Sequence, residues 1–339
     1  MASLADVSRE AGVSVATASR VLNGATHPVS ADTRSRVLAA AARLGYSPSA
    51  LAQALVTRTS RLIGVIVSDI VNPYFSVIAR GVDDMSTRAG YVTMLSNADR
   101  RTSSEITRLQ TMRDYRAAGV IFAGSGYVDD PRTPELAKAV AQARERGVLT
   151  ISLTDRDIDC PVITADNRAA AYDLTDHLVS QGHRRIAFIE GPAGMVATEQ
   201  RRTGFLDRMA EAGLRDLAEC VEGGFDFEAG HAAALRLLAS RDLPDAIVAA
   251  NDEAAVGALN ALRQARIDVP GQVSVAGIDD LPVARFVGLT TVSLPLYELG
   301  AMAARRVIDA GTAGPPPEAG PPVVLPHRLV PRETTTRRP

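Results

Sequence analysis

Tryptophan is absent from these 339 residues, and phenylalanine and tyrosine together supply only 4% of them. That scarcity argues against a fold held by aromatic stacking. Cysteine is almost as rare. Cys160 and Cys220 stand far apart, without the clustering that a zinc site or a disulfide framework needs, and read as buried thiols of a reducing compartment. The five histidines, at positions 27, 177, 183, 231 and 327, show neither H-E-x-x-H nor another metal-ligand spacing. His183, within QGHRR at a helix-to-strand junction, reads as structural. A GxGxxG loop, a P-loop lysine and a G-x-S-x-G elbow are all missing, and the GSG at 124–126 is too short to signify one. No catalytic centre, cofactor or metal is expected. Apolar runs stay under ten residues, too short to span a bilayer, and the opening MASLADVSREAG lacks the apolar stretch of a signal peptide. A cytoplasmic protein is expected.

What the chain does contain is a hydrophobic fraction of 46%, enough for a sizeable core, in a length that accommodates two or three domains. The overall charge of −2 says little, but its distribution says more. Residues 1–61 carry seven arginines (9, 20, 34, 36, 43, 58 and 61) against Asp6, Glu10 and Asp32, net +4. The remainder holds 30 basic and 36 acidic residues, net −6. A small basic head on a larger acidic body points to a polyanionic partner for the head.

The head reads as helices. Ser3 and Asp6 form a capping pair, and Leu4, Val7 and Ala11 make one apolar face. Gly12 stops this helix, Val13 plugs the corner, and Ser14 caps the next by accepting from the Thr17 amide. Within GVSVATASRVLN, a second helix over about 15–23 buries Ala18, Val21 and Leu22. Its other face presents Ala16, Arg20 and Asn23, flanked by Thr17 and Ser19. A third helix begins near Ser30, points Val37, Ala41 and Leu44 inward and ends at Gly45. Helix, glycine turn, then a helix with a polar outer face is a helix-turn-helix pattern suited to a DNA major groove. Val15 and Ala16 let the backbone sit deep but offer base edges only methyl contacts. The Ser and Thr hydroxyls suit phosphates, and Arg20 can fork onto a guanine edge, worth ~1–3 kcal/mol of discrimination. A small helical bundle with a solvated polar face has the same pattern.

The stretch YSPSALAQALVTRTS follows at 46–60. Ser47 caps, Pro48 fits the first helical position, and Ser49 to Leu55 make two turns. A helix of ~8 residues is marginal in water because nucleation is costly. The segment is either a linker with helical tendency or one that folds against a partner, with Leu55 free to wedge between base steps.

After Arg61 the periodicity changes. LIGVIVS (62–68), YVTMLS (91–96), GVIFA (119–123) and VLTISL (148–153) are short branched-aliphatic runs separated by helical stretches at 74–89, 102–116 and 134–147. The rhythm restarts with RIAFIE (185–190), a strand around 219–223, DAIVAA (245–250) and VSVAG (273–277). Continuous apolar strands alternating with helices predict parallel sheets covered on both faces. Two doubly wound units imply two lobes, with a ligand cleft between their strand ends. Contacts to a ligand are then expected on the loops that follow those strands.

LADVSREAGVSVATASRVLN, TRSRVLAAAARLGYSPSALAQAL, IGVIVSDIVNPYF, DNRAAAYDLTDHLVSQGHRRIAFIEGP, RRTGF, VSVAGIDDLPVA and LTTVSLP, in that order from residue 3 to about 335, resemble the lactose-repressor/galactose-repressor (LacI–GalR) family of bacterial transcription regulators. The resemblance implies an all-α helix-turn-helix head (1–46) and a hinge helix or linker (47–61). It implies a two-lobed α/β body (62–335) like the periplasmic binding proteins, with two doubly wound parallel sheets, for effector binding and dimerisation. One lobe is expected over about 62–160 and 291–322, the other over about 161–290 and 323–335, the chain crossing near 160, 290 and 323.

On this reading a homodimer grips a palindromic double-stranded DNA operator through Ser14, Val15, Ala16, Thr17, Ser19, Arg20 and Asn23, with Ala52 and Leu55 contributed by the hinge. A small-molecule effector between the lobes meets Asp69, Tyr74, Phe75, Asp155, Arg201, Phe225, Asn251, Asp252 and Asp279. In such proteins the aromatics stack on the effector, while the arginine matching Arg201 and the acid matching Asp279 bond its polar groups. Met195 and Ala197 stand where the purine-binding relative has polar contacts, which disfavours a purine and leaves a sugar as the expected effector. The tail lacks the leucine heptads of a tetramerising coiled coil, so a dimer is expected. The competing reading is a free-standing solute-binding protein without a DNA-binding role, which shares the body but carries an export signal and no basic head.

Overall fold

The structure, a computed structural model, describes residues 2–22, 29–46, 60–240, 242–313 and 320–338. It divides into two units, Met1–Arg61 and Leu62–Pro339.

The first unit packs α1 (Leu4–Ala11), α2 (Val15–Leu22) and α3 (Ala31–Arg43). Each begins at a side-chain cap. Asp6 Oδ2 accepts from the Ser3 amide at 2.9 Å while Ser3 Oγ accepts from the Asp6 amide at 3.3 Å, and Ser14 and Ser30 cap α2 and α3. Gly12 ends α1 at φ 62, in the left-handed region that glycine enters without steric cost. Val7, Ala11, Ala18, Val21, Val37, Ala40 and Ala41 form the core. Leu44, expected inside, is 36% exposed because α3 has already ended and the chain is turning, so Ala40 takes the inward place. The expected hinge helix lies outside the described residues.

The second unit opens with β1 (Leu62–Val67), α4 (Pro73–Arg88), β2 (Val92–Asn97), α5 (Thr102–Asp114), β3 (Gly119–Phe122), α6 (Thr133–Glu145) and β4 (Leu149–Ser152). These strands form a parallel sheet in the order β2-β1-β3-β4. Alternate residues feed opposite faces: Ile63, Val65 and Val67 join α4, whereas Ile66 joins Leu109, Met112, Leu136 and Val140 from α5 and α6. A short strand β5 (Ile163–Ala165) extends this lobe, with Val162 bridging to Ser152.

The second lobe contains α7 (Asn167–Ser180), β6 (Ile186–Ile189), α8 (Val196–Glu211), β7 (Ala218–Val221), α9 (Phe227–Leu238), β8 (Ala246–Ala249), α10 (Asp252–Gln264), β9 (Ser274–Asp279), α11 (Pro282–Phe286) and β10 (Thr290–Ser293). The chain then returns through α12 (Leu296–Ala313), which packs on α4, and β11 (Val323–Leu325), which pairs with β5. It ends with β12 (Arg328–Val330) beside β10. The chain thus passes between lobes after Ala165, after Ser293 and after Leu325.

The second sheet runs β12-β10-β9-β8-β6-β7. Its register is parallel except at β12, which lies antiparallel to β10. This edge departs from the all-parallel expectation: β12 follows β11 after only Pro326 and His327, with no crossover helix to reverse the chain. Both sheets reverse their order beside the first strand, at β1/β3 and at β6/β8. Loops leaving those strands diverge, which opens a crevice at each carboxyl edge.

Candidate functional site

The two crevices face one another. Loops after β1, β2, β3 and β4 from one lobe and after β6, β7, β8 and β9 from the other border a cleft of about 540 Å³, the open solvent at its mouth included. Arg201, on the second turn of α8, is the central cation and is only 3% exposed. Its Nε donates to Asn167 Oδ1 at 2.9 Å, its Nη2 to Asp279 Oδ1 at 3.2 Å, and its Nη1 to the Ala250 carbonyl. The guanidinium also lies 5.9 Å from the centre of the Phe225 ring.

Asp279 closes β9 with φ 126, and Asp280 follows at φ 59. Such backbone costs of order 1–3 kcal/mol and persists only where the surroundings over-determine it. Here the turn is pinned on both sides. Asp252 accepts from the Leu281 amide at 2.7 Å and from Thr291 Oγ1 at 2.6 Å, while Arg332 donates to Asp280 at 2.5 Å and to the Leu289 carbonyl at 2.7 Å. Burial pushes the Asp279 carboxyl up to about 7 although Arg201 pulls it down. Burial, then the charge of Asp279, also holds Asp252 well above the usual carboxylate range. The same two causes push the Tyr74 phenol up to about 12.

Tyr74 and Phe75 meet edge to face, ring centres 5.0 Å apart, at the start of α4, where Asn72 Oδ1 caps the helix by accepting from the Tyr74 amide at 2.9 Å. The Asn-Pro-Tyr-Phe sequence therefore makes the cap and the aromatic wall together. The lobes touch around this space. The Phe225 carbonyl accepts from Asn251 Nδ2 at 3.0 Å and, across the cleft, from Asn72 Nδ2 at 3.5 Å. Val128 N donates to Gly194 O at 2.8 Å, Val196 N to Gly126 O at 3.2 Å, and Ala197 N to Ser125 Oγ at 3.0 Å.

Of the nine residues expected at the effector, Tyr74, Phe75, Arg201, Phe225, Asn251 and Asp279 line this cleft. Three lie elsewhere. Asp252 is wholly buried behind Asn251 as the pin described above. Asp155 is exposed, because Ser152 Oγ bonds the Thr154 carbonyl at 2.6 Å and the turn brings Thr154 to the lining instead. Asp69 sits at the rim, bonding the Val71 amide at 3.1 Å and Arg100 at 3.0 Å. Ser68, Asn72, Arg100, Ser125 and Asn167 line the cleft without having been singled out for it, as do Met195 and Ala197, noted above only as departures. Ser125 belongs to the GSG dismissed as too short. It resembles no phosphate loop, but Gly126 at φ 71 turns the chain there. Asn72 was signalled by its capping position, whereas Arg100 and Asn167 arrive through long-range packing.

On α2, Ser14, Val15, Ala16 and Arg20 are exposed and Thr17 and Ser19 half-buried. Arg20 engages no other described residue, while Arg36 and Arg43 pair with Asp32 and Glu10 at 3.2 and 3.0 Å. The Thr17 hydroxyl lies 2.8 Å from Ser14 Oγ, so the cap already engages it. Asn23, Ala52 and Leu55 fall outside the described residues.

Residues 3–49 match the family described as bacterial regulatory proteins, lacI family, and residues 175–335 match a periplasmic binding protein-like domain. Catabolite control protein A of Priestia megaterium is 33% identical over 97% of this chain and 98% of its own length. The chain belongs to the lacI family. It is a DNA-binding transcriptional regulator with a helix-turn-helix head and a two-lobed body. Among solved structures, this lacI-family chain is similar to the lac repressor dimer bound to operator and the anti-inducer ONPF, with TM-score 0.85 and 28% identity over 99% of both chains. It is also similar to the transcriptional regulator CelR in complex with cellobiose, with TM-score 0.68 and 29% identity over 98% of this chain and 100% of that one. No helix among the described residues is long and apolar enough to cross a membrane.

Proposed function

We propose that this regulator acts in the cytoplasm as a homodimer on a palindromic operator, most simply as a repressor, and that a sugar bound between its lobes sets its operator affinity. Arg20 and the methyl groups of Val15 and Ala16 read base edges, Ser14, Thr17 and Ser19 meet phosphates, and the hinge residues reach the minor groove. The observation that carries the effector reading is the buried Arg201–Asp279 pair beside Phe225, Tyr74 and Phe75. Donor and acceptor side by side against aromatic faces suit the hydroxyls and C–H face of a sugar ring. The apolar Met195 and Ala197 suit a nucleobase edge poorly, and the likeness to a cellobiose-bound regulator supports the same class. Catalysis has no place in this reading, since the buried Asp252 and Asp279 carboxylates are engaged in holding a turn and an arginine.

A thermal-shift screen against sugars and nucleosides, followed by gel shifts on the neighbouring promoter fragment, tests the proposal. A stabilising sugar should change operator affinity about 5–150-fold, the range of ~1–3 kcal/mol of coupling. Stabilisation by nucleosides alone, or a bound sugar that leaves operator affinity unchanged, refutes it.

A further inference from the structure

We infer that the effector is an acidic sugar, whose carboxylate or phosphate is received by Arg100 and the Ser68 hydroxyl in one corner of the cleft. This rests on the sugar reading above and narrows it.

The charged side chains lining the cleft are Arg100, Arg201 and Asp279. Arg201 is balanced by Asp279 and has all three nitrogens engaged. Arg100 is different. Only its Nη2 has a partner among the described residues, Asp69 at 3.0 Å, and both side chains of that pair are about a third exposed (29% and 33%). A pair so open to water is worth little and is readily exchanged. Nε and Nη1 of Arg100 remain available to a ligand, and a carboxylate or phosphate that forks onto the guanidinium takes Nη2 as well, displacing Asp69.

Backbone geometry holds that guanidinium in place. Asp99 and Arg100 are both left-handed, φ 52 and 56, and the Arg100 amide is tied to the Ser68 carbonyl at 2.9 Å. Two consecutive non-glycine residues in that region are costly, and strain of this kind concentrates at ligand clamps. Ser68 is the second observation. It is 5% exposed, its hydroxyl has no partner among the described residues, and it lines both the cleft and a small recess shared with Arg100, Thr102 and Gly126. That hydroxyl opens on the cleft, where it can donate to a bound acceptor.

The recess also contains Glu105, but both its oxygens are held by Arg156, at 3.0 and 2.7 Å, with each side chain 7% exposed. Its charge is neutralised, and α5 begins at Thr102 with no side chain capping its first turn, so the positive end of that helix adds to Arg100. A ring seated on the aromatic wall can then bond Arg201 and Asp279 with its hydroxyls while its acidic substituent faces Arg100.

The test is titration calorimetry on the full-length protein with glucuronate, galacturonate, glucose 6-phosphate, glucose and galactose. At least one acidic probe should bind more than tenfold tighter than its neutral parent, and comparing the uronates with the phosphate separates the two sources of the acid. Arg100→Gln should weaken that probe at least tenfold and weaken neutral sugars far less. Asp69→Asn, which frees the guanidinium, should tighten it several-fold, a gain that damage to the fold does not produce. Neutral sugars binding as tightly as acidic ones, or an Arg100→Gln variant that does not discriminate, overturns the inference and leaves the sugar reading standing. Absence of binding by every probe counts against both.

Discussion

Asp279 sits in a backbone region that disfavours it and in an interior that disfavours its charge. Arg201 offsets the second cost, and Asp252 and Arg332 hold the turn that imposes the first. The sign of the pH dependence follows. An acid whose folded pKa is raised from 3.8 to about 7 binds its proton more tightly in the folded state. Its contribution to stability is therefore complete below the ordinary carboxylate range and is lost as pH rises towards 7. Urea unfolding across pH 4 to pH 7.5 should show this loss in the native protein and a flatter profile in Asp279→Asn. Arg201→Met should cost about 3–5 kcal/mol, because it leaves Asn167, the Ala250 carbonyl and Asp279 without their buried donor. It should also move the pH-dependent loss of stability to higher pH, since the cation that holds the Asp279 carboxyl down is gone, a shift that a purely steric defect would not produce.

Glycine at 81 and at 300 lies inside α4 and α12, where local propensity alone counts against a helix by about 1 kcal/mol each. Packing reverses that judgement. A Cβ on Gly81 would stand 2.1 Å from the Tyr297 carbonyl oxygen, and one on Gly300 would stand 2.1 Å from the Ile78 carbonyl oxygen. The helices cross backbone to backbone, and backbone cannot yield as a side chain can. Gly81→Ala should therefore lower the melting temperature despite its better helix propensity, with an overpacking cost of about 1–3 kcal/mol. An unchanged or raised melting temperature contradicts the close crossing. The ends of elements were more legible than their interiors. Ser3, Ser14, Ser30, Asn72 and Asn251 all cap helices through local spacing. At strand ends a single residue decides between cleft and solvent, as Thr154 against exposed Asp155 and buried Asp252 behind Asn251 illustrate. Periodicity locates such a loop but not the phase in which it leaves its strand.

The whole molecule separates a basic, three-helix head from an acidic two-lobed body, as two units by internal contact. Recognition of DNA and sensing of a metabolite are then expected to be severable. Removing residues 1–61 should abolish operator binding in fluorescence anisotropy and leave the sugar-induced thermal shift intact. Truncated protein that still binds the operator as tightly as the full chain contradicts the assignment of the head.

By itself the sequence determined the order of elements, the capped helix-turn-helix, the two alternating strand–helix units and most of the cleft wall. Those follow from spacing, glycine turns and hydrophobic period, which act over a few neighbouring residues. Only the tertiary structure decided that Arg201 meets Asp279, a residue 78 positions away, that Asp252 braces a turn rather than facing the cleft, and that Arg100 and Ser68 share a corner of it. Such pairings depend on how separate loops converge at the edges of two sheets, and no local pattern carries that geometry.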